Sequence, residues 1–238
     1  MKIKVMTFNI LHGSDYPGDR TVKLQYVADT IRELDADIVV LNEVRNSGSD
    51  PEYSEQTRRI AQLLGWKYYH FARAITFPDG GDYGNAILSR LPMSDVETVP
   101  IPDPPVRDED VYYETRCALR AHFDVGGGLT VIGAHFGLAK SEQRNAVATL
   151  TALADGVTDT PVIMGDFNLP PDSDILKPLT ERFYDTSELA HNKLSWPVGV
   201  PERKIDYIFT GKGVKVTQAE IPHAGHSDHY PHYAVIEI

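Results

Sequence analysis

Seven short segments of this 238-residue chain set a carboxylate, an amide or an imidazole in or at the end of a β-like apolar run. Six close such a run: Thr7-Phe8-Asn9, Leu41-Asn42-Glu43, Gly84-Asn85-Ala86, Gly133-Ala134-His135, Gly165-Asp166-Phe167-Asn168 and Ser227-Asp228-His229. The seventh, Ile205-Asp206-Tyr207, buries a carboxylate among apolar neighbours. Turns favour Asn and Asp on their own account, so one such ending carries little weight. Seven along the whole length point to one cleft where strand ends converge, stocked with groups that hold a hard cation or a phosphate.

Each segment has a specific chemistry and a plainer alternative. Glu43 leaves the run Ile38-Val39-Val40-Leu41, which is apolar enough for a sheet covered on both faces. A carboxylate there, beside a neutral oxygen from Asn9, suits Mg²⁺, which takes oxygen ligands and only one or two carboxylates. Alone, either residue reads equally as a loop or turn position. Asp166 and Asn168 follow the strand Val162-Ile163-Met164 and could stand side by side over a phosphate. The carboxylate would hold a water and take its proton, and the amide would donate to a developing phosphorane oxygen. Asp206 is costly to bury without a partner, and the imidazole of His229 is the obvious one. His135 and Asn85, at further strand ends, draw their weight from this company.

Other patterns lead elsewhere. His223, His226, His229 and His232 recur every third residue, which suggests a transition-metal cluster. Neighbours three apart in a strand face opposite sides, and Pro222, Gly225 and Pro231 argue against a helix. Gly211-Lys212-Gly213 lacks the spacing of a phosphate-binding loop and reads as a hairpin turn between two strands. No nucleophile elbow, Cys–His pair or zinc-finger spacing is present.

Elements must bring these residues together. The patterns predict strands over 3–10, 38–41 and 68–71 and helices over 22–34 and 55–64. Short strands fill 85–132, with a Pro-rich loop at 100–105 and a hairpin turn at Gly126-Gly127-Gly128. A helix over 142–153 precedes the strand at 162–164, and strands close the chain at 205–209, 214–219 and 233–238. Helices between some strands and hairpins between others imply an α/β fold of two mixed sheets stacked face to face, helices outside. No linker or repeat divides the chain, so residues 1–238 are expected to form a single domain.

Composition limits the partners. Apolar residues are 42%, ample for a core, and the net charge is −11. Such acidity disfavours a grip on long nucleic acid, which needs Lys and Arg to neutralise phosphates. The single Cys117 forms no internal disulfide and reads as a packed strand residue. No apolar stretch reaches the ~18 residues of a membrane helix, and the chain opens directly into a strand. The expectation is therefore a cytoplasmic monomer without a transmembrane segment.

The ordered set of motifs resembles the endonuclease/exonuclease/phosphatase family, the DNase I-like metal-dependent phosphoesterases. It runs from Thr7-Phe8-Asn9-Ile10-Leu11 through Asn42-Glu43, Gly84-Asn85-Ala86-Ile87-Leu88-Ser89-Arg90, His135, Gly165-Asp166-Phe167-Asn168 and Ile205-Asp206-Tyr207 to Ser227-Asp228-His229-Tyr230-Pro231. The resemblance implies a four-layer α/β sandwich with a divalent-metal site at one edge. It implies Glu43 as principal ligand of Mg²⁺, or of Mn²⁺ in its place, with Asn9 and Asp228 close to the metal. Asp166 would position and deprotonate the attacking water, Asn168 would hold the phosphate, and His229, oriented by Asp206, would stabilise phosphoryl charge or assist proton transfer. His135, Asn85 and, with an ion pair as its alternative, Arg116 would contact the phosphate.

Apurinic-site endonucleases of the family carry an acidic residue where this chain has Leu11, and a Tyr where His135 falls. Both departures argue against DNA repair. The expected activity is hydrolysis of a small or lipid-derived phosphate ester. A nuclease of the same fold is the alternative, and would need a basic stripe from Arg45, Arg73, Arg90, Lys140 and Arg144. A non-catalytic phosphate- or partner-binding module is a second. Loops 77–81, 100–110 and 191–201, carrying Phe77 and Trp196, would frame the cleft.

Overall fold

Runs of alternating core contacts, apolar on both faces, make the central strands of this chain. The computed structural model describes residues 1–78 and 80–238; Asp79, in the 77–81 loop, lies outside the described residues. In chain order the first half contains β1 (Lys2–Asn9), α1 (Leu24–Glu33), β2 (Ile38–Arg45), α2 (Gln56–Leu64), β3 (Tyr68–Thr76), β4 (Asp82–Ser89), β5 (Ser94–Pro100) and β6 (Cys117–Phe123). The second half contains β7 (Leu129–His135), α3 (Lys140–Asp155), β8 (Thr160–Asp166), α4 (Lys177–Thr180), β9 (Phe183–Asp185), β10 (Asp206–Gly211), β11 (Lys215–Glu220) and β12 (His232–Glu237).

The strands form two six-stranded sheets, ordered β11-β12-β1-β2-β4-β3 and β5-β6-β7-β8-β10-β9. Each is mixed: β1 runs parallel to β2 and β7 to β8. Strand alternation then builds the layers. Val5, Ile38 and Val40 of the first sheet meet Leu119, Val131 and Met164 of the second in a core between the sheets. Met6, Phe8, Val39 and Leu41 point the other way, onto Val27 and Ile31 of α1 and Ile60 of α2. On the far side, Ile132, Ile163 and Phe209 pack on Val147 and Leu150 of α3. The result is the expected four-layer sandwich: helices, sheet, sheet, helices.

This topology fixes where the polar strand ends go. Parallel pairing sets Asn9 opposite Asn42 in one sheet and His135 opposite Asp166 in the other. Strand β10 runs antiparallel to β8 and begins where β8 ends, so Asp206 stands opposite Asp166. One rim of the sandwich therefore collects the ends of β1, β2, β7 and β8 and the start of β10.

Several expected bounds change: α1 begins at Leu24, β2 runs on to Arg45 and β3 to Thr76. The turn at 211–213 is not a hairpin: it carries the chain from β10 in one sheet to β11 in the other. Helix α3 begins at Lys140, two residues before the expected start. Its first N–H groups, of Lys140 and Ser141, donate to the Glu109 carboxylate at 2.7 and 2.9 Å. A remote loop supplies this cap, beside the local Glu142 carboxylate, which accepts the Ala139 N–H at 3.3 Å.

Candidate active site

Glu43 reaches the rim through a break in the ladder. Pairing between β2 and β4 shifts between Leu41 and Val44, and Glu43 takes a left-handed φ of 59°. A bulge of this kind re-aims a side chain. Here it leaves the Glu43 carboxylate half-buried at the mouth of the cleft. From β1, the Asn9 amide nitrogen donates to Glu43 Oε1 and to Asp166 Oδ2, both at 3.0 Å. Asn9 Oδ1 accepts from the Leu11 N–H at 3.1 Å and keeps its second lone pair. A single amide thus ties an acid of the first sheet to an acid of the second.

Asp166 is 1% exposed. Its Oδ1 accepts from the Asn168 N–H at 3.0 Å, while Oδ2 lies 3.4 Å from His135 Nε2 and 3.6 Å from His229 Nε2. Burial, reinforced by the neighbouring Asp206 charge, raises its pKa to about 7, against the opposing pull of His229. Asn168, at a left-handed φ of 51°, sends its side-chain nitrogen toward His135 Nε2 (3.2 Å) and donates it to the Phe136 carbonyl (3.0 Å).

His229 is held from behind by Asp206, Nδ1 to Oδ2 at 2.8 Å. Burial pushes the imidazole toward neutrality, but the charges of Asp206 and Asp166 overcome it and raise its pKa to about 10. His229 is therefore an imidazolium at neutral pH, its Nε2 directed at the rim. Asp228, half-buried, receives the Ser227 hydroxyl at 3.3 Å and the Trp196 indole N–H at 3.4 Å. Asp166, Asp206 and His229 each present a ligand atom within 4.8 Å of the others, a buried group that could hold a metal ion, with His229 hydrogen-bonded to Asp206. Glu43 and Asp228 are half-buried carboxylates of the kind that fits a hard cation, while Asn9 lies buried behind Glu43.

The arrangement can do acid–base and electrostatic chemistry on a bound anion: a carboxylate titrating near neutrality, an imidazolium, and amide donors on one surface. A family model described as the Endonuclease/Exonuclease/phosphatase family matches residues 6–229. The chain belongs to this family. Its members are generally phosphoesterases, typically dependent on a divalent metal. Among solved structures, an endonuclease/exonuclease/phosphatase from Beutenbergia cavernae DSM 12333 is 23% identical with a TM-score of 0.82, covering 100% of this chain and 72% of that one. A family protein from Leptotrichia buccalis C-1013-b is 17% identical at 0.80, covering 99% and 100%. A mannosyl-6-phosphatase of Bacteroides thetaiotaomicron VPI-5482 is 16% identical at 0.77, again covering 99% and 100%. At such identities the likeness is one of fold. No curated protein matches the sequence.

Within this endonuclease/exonuclease/phosphatase chain, Asn85 and Arg116 have protein partners of their own, Arg116 in the ion pair that was its alternative reading. Asn85 is 2% exposed; its amide donates to the Cys117 carbonyl at 2.9 Å and accepts from the Asn42 amide at 2.8 Å. It braces Asn42 from below the rim. Arg116 is in an ion pair with Glu114 at 2.6 Å, and the same nitrogen lies 3.2 Å from the Tyr83 hydroxyl and 3.1 Å from His135 Nδ1. Its guanidinium shores up the His135 ring. The four regularly spaced histidines disperse: His226 pairs with Asp15 at 2.9 Å, His223 stacks on Tyr230, and His232 lies buried against Thr186.

Three residues went unread in the sequence. Asn42 accepts from the Asp166 N–H at 3.0 Å and donates to the Ala134 carbonyl at 3.2 Å, stitching the two sheets at the rim. Its place in Leu41-Asn42-Glu43 was the available signal. His12 stands 3.6 Å from Glu43 Oε2. Gln56 reaches both the His12 carbonyl (2.6 Å) and the Arg45 N–H (2.9 Å). Nothing in the local pattern distinguishes a buried glutamine of this kind from a surface one.

Proposed function

We propose that this protein is a divalent-cation-dependent hydrolase of small or lipid-derived phosphate esters, acting by direct attack of water. The observation that carries this reading is the Asn9 amide bridging Glu43 and Asp166. It sets an outward carboxylate able to hold a cation beside an inward one able to take a proton, and keeps them from sharing one role. Glu43, with Asp228 and the Asn9 oxygen beside it, would hold Mg²⁺ or Mn²⁺. When bound, that ion would supply Lewis-acid polarisation of a phosphoryl oxygen.

The chain's own groups account for the rest. Asp166 accepts the proton of the attacking water, its Oδ1 fixed by the Asn168 N–H. Asn168 and His135 donate to phosphoryl oxygens, and the His229 imidazolium, oriented by Asp206, meets the charge that gathers in the transition state. Two of the five cations that a nucleic-acid track would draw on are engaged elsewhere. Arg90 sits at the opposite end of β4 from this rim, paired with Asp35 at 2.7 Å, and Arg73 lies 3.7 Å from Asp82.

The test is a panel of aryl phosphate monoesters and diesters, lysophospholipids, plasmid, single-stranded DNA and RNA, each with Mg²⁺ and with EDTA. Turnover of ester substrates that EDTA abolishes is expected. Aryl-ester turnover that survives EDTA contradicts the proposal, and clean nucleic-acid degradation with no small-ester turnover replaces it with the nuclease.

A further inference from the structure

His12 is the one imidazole at the rim that the proposed reaction leaves unused, and its setting is unusual. It lies in a turn where Leu11 and His12 both adopt positive φ, at 46° and 59°. Such backbone is strained for residues other than glycine and persists only where the surroundings enforce it. The surroundings are specific. Gln56 clamps the turn to the exit of β2 by bonding the His12 carbonyl and the Arg45 N–H together. The ring packs edge-on near Tyr53 and tilted on Tyr83, with centroids 6.3 and 5.5 Å away.

The ring held in this way presents Nε2 to Glu43 Oε2 at 3.6 Å. That is too long for a hydrogen bond, so neither atom is spent on the other. It is a spacing that an ion can bridge from about 2.0–2.2 Å on each side. The other ring nitrogen, Nδ1, is enclosed and has no hydrogen-bond partner among the described residues, which leaves Nε2 as the atom facing the carboxylate.

We propose that His12 supplies a nitrogen ligand to the cation at Glu43, so that the site takes a first-row transition ion such as Mn²⁺ in preference to Mg²⁺. This rests on the functional reading above, in which Glu43 holds a cation. Imidazole is a poor ligand for Mg²⁺, which wants oxygen and keeps its waters. Imidazole suits the later first-row ions best, and Mn²⁺, at the weak end of that series, still accepts it more readily than Mg²⁺ does. Carboxylate oxygens alone would hold either kind of ion; adding His12 beside Glu43 is what discriminates.

Mn²⁺ serves as the probe because its electron spin reports bound nitrogen. Electron spin-echo envelope modulation of the intact protein with one Mn²⁺ should show ¹⁴N coupling, a readout that needs no variant. His12→Asn, whose side chain tolerates the left-handed backbone, should abolish that coupling and weaken Mn²⁺ binding by at least about tenfold. Mg²⁺ affinity, measured by competition, should change by less than about threefold, since its oxygen ligands remain. Mn²⁺ that binds the wild type and is lost in Glu43→Gln, but shows no nitrogen coupling, overturns the role of His12 alone. Coupling that persists in His12→Asn, or equal losses for both ions, overturns it as well. Wild-type protein that binds neither ion overturns both this inference and the functional reading.

Discussion

Asp166 and His229 lie close enough to govern each other's charge, and that coupling has a direction. The carboxylate is pushed up to about 7 and the imidazole to about 10, so between those values the acid is ionised while the ring stays protonated. The proposed chemistry needs that combination. kcat/KM should therefore rise with pH along a limb no higher than about 7, since a bound cation only favours the carboxylate further. It should fall again near 10 as His229 loses its proton. Asp206→Asn removes the first of the two charges that raise the ring, so its alkaline limb should move down by at least about one unit. An alkaline limb unmoved in that variant would show that Asp206 is structural. The pairing of Asp206 with His229 was legible from the sequence, because a carboxylate inside an apolar strand demands a partner. The bonds of Asn85 to Asn42 and to the Cys117 carbonyl were not, because an amide serves equally as ligand or brace.

Strand geometry carries the site more than loop sequence does. Asp166 reaches His135 because Gly165 lets β8 press against β7: a Cβ there, at a φ of 150°, would lie 1.8 Å from the Ala134 carbonyl oxygen. Gly165→Ala should destabilise the fold by about 3 kcal/mol or more through overpacking and backbone strain, read by urea unfolding. A change below about 1 kcal/mol would mean that the rim tolerates a wider spacing than the proposed chemistry allows. The buried strands and the amphipathic helices were legible from apolar periodicity. The bulge that turns Glu43 outward, the cap that Glu109 lends to α3 and the crossing at 211–213 were not. Each depends on a partner far away in sequence, and local pattern holds no trace of such partners.

At the scale of the whole molecule, two sheets back to back let four strand ends and one strand start meet along a single rim, and Asn9 and Asn42 stitch that rim across the sheets. The overall sandwich was readable because the order of motifs follows the order of strands. The cleft's selectivity was not, since it depends on which cations are already paired. The net charge is −11, and Arg73, Arg90 and Arg116 are engaged with carboxylates; on the proposed reading the substrate is a compact anion. The most direct test is turnover of an aryl phosphate ester against Mg²⁺ concentration for wild type, Glu43→Gln and Asp166→Asn. Wild type should saturate and Glu43→Gln should need at least about tenfold more Mg²⁺. Asp166→Asn should saturate where wild type does, at a turnover lowered by about a hundredfold or more. Wild-type turnover that ignores Mg²⁺, or Asp166→Asn turnover equal to wild type, would contradict the account.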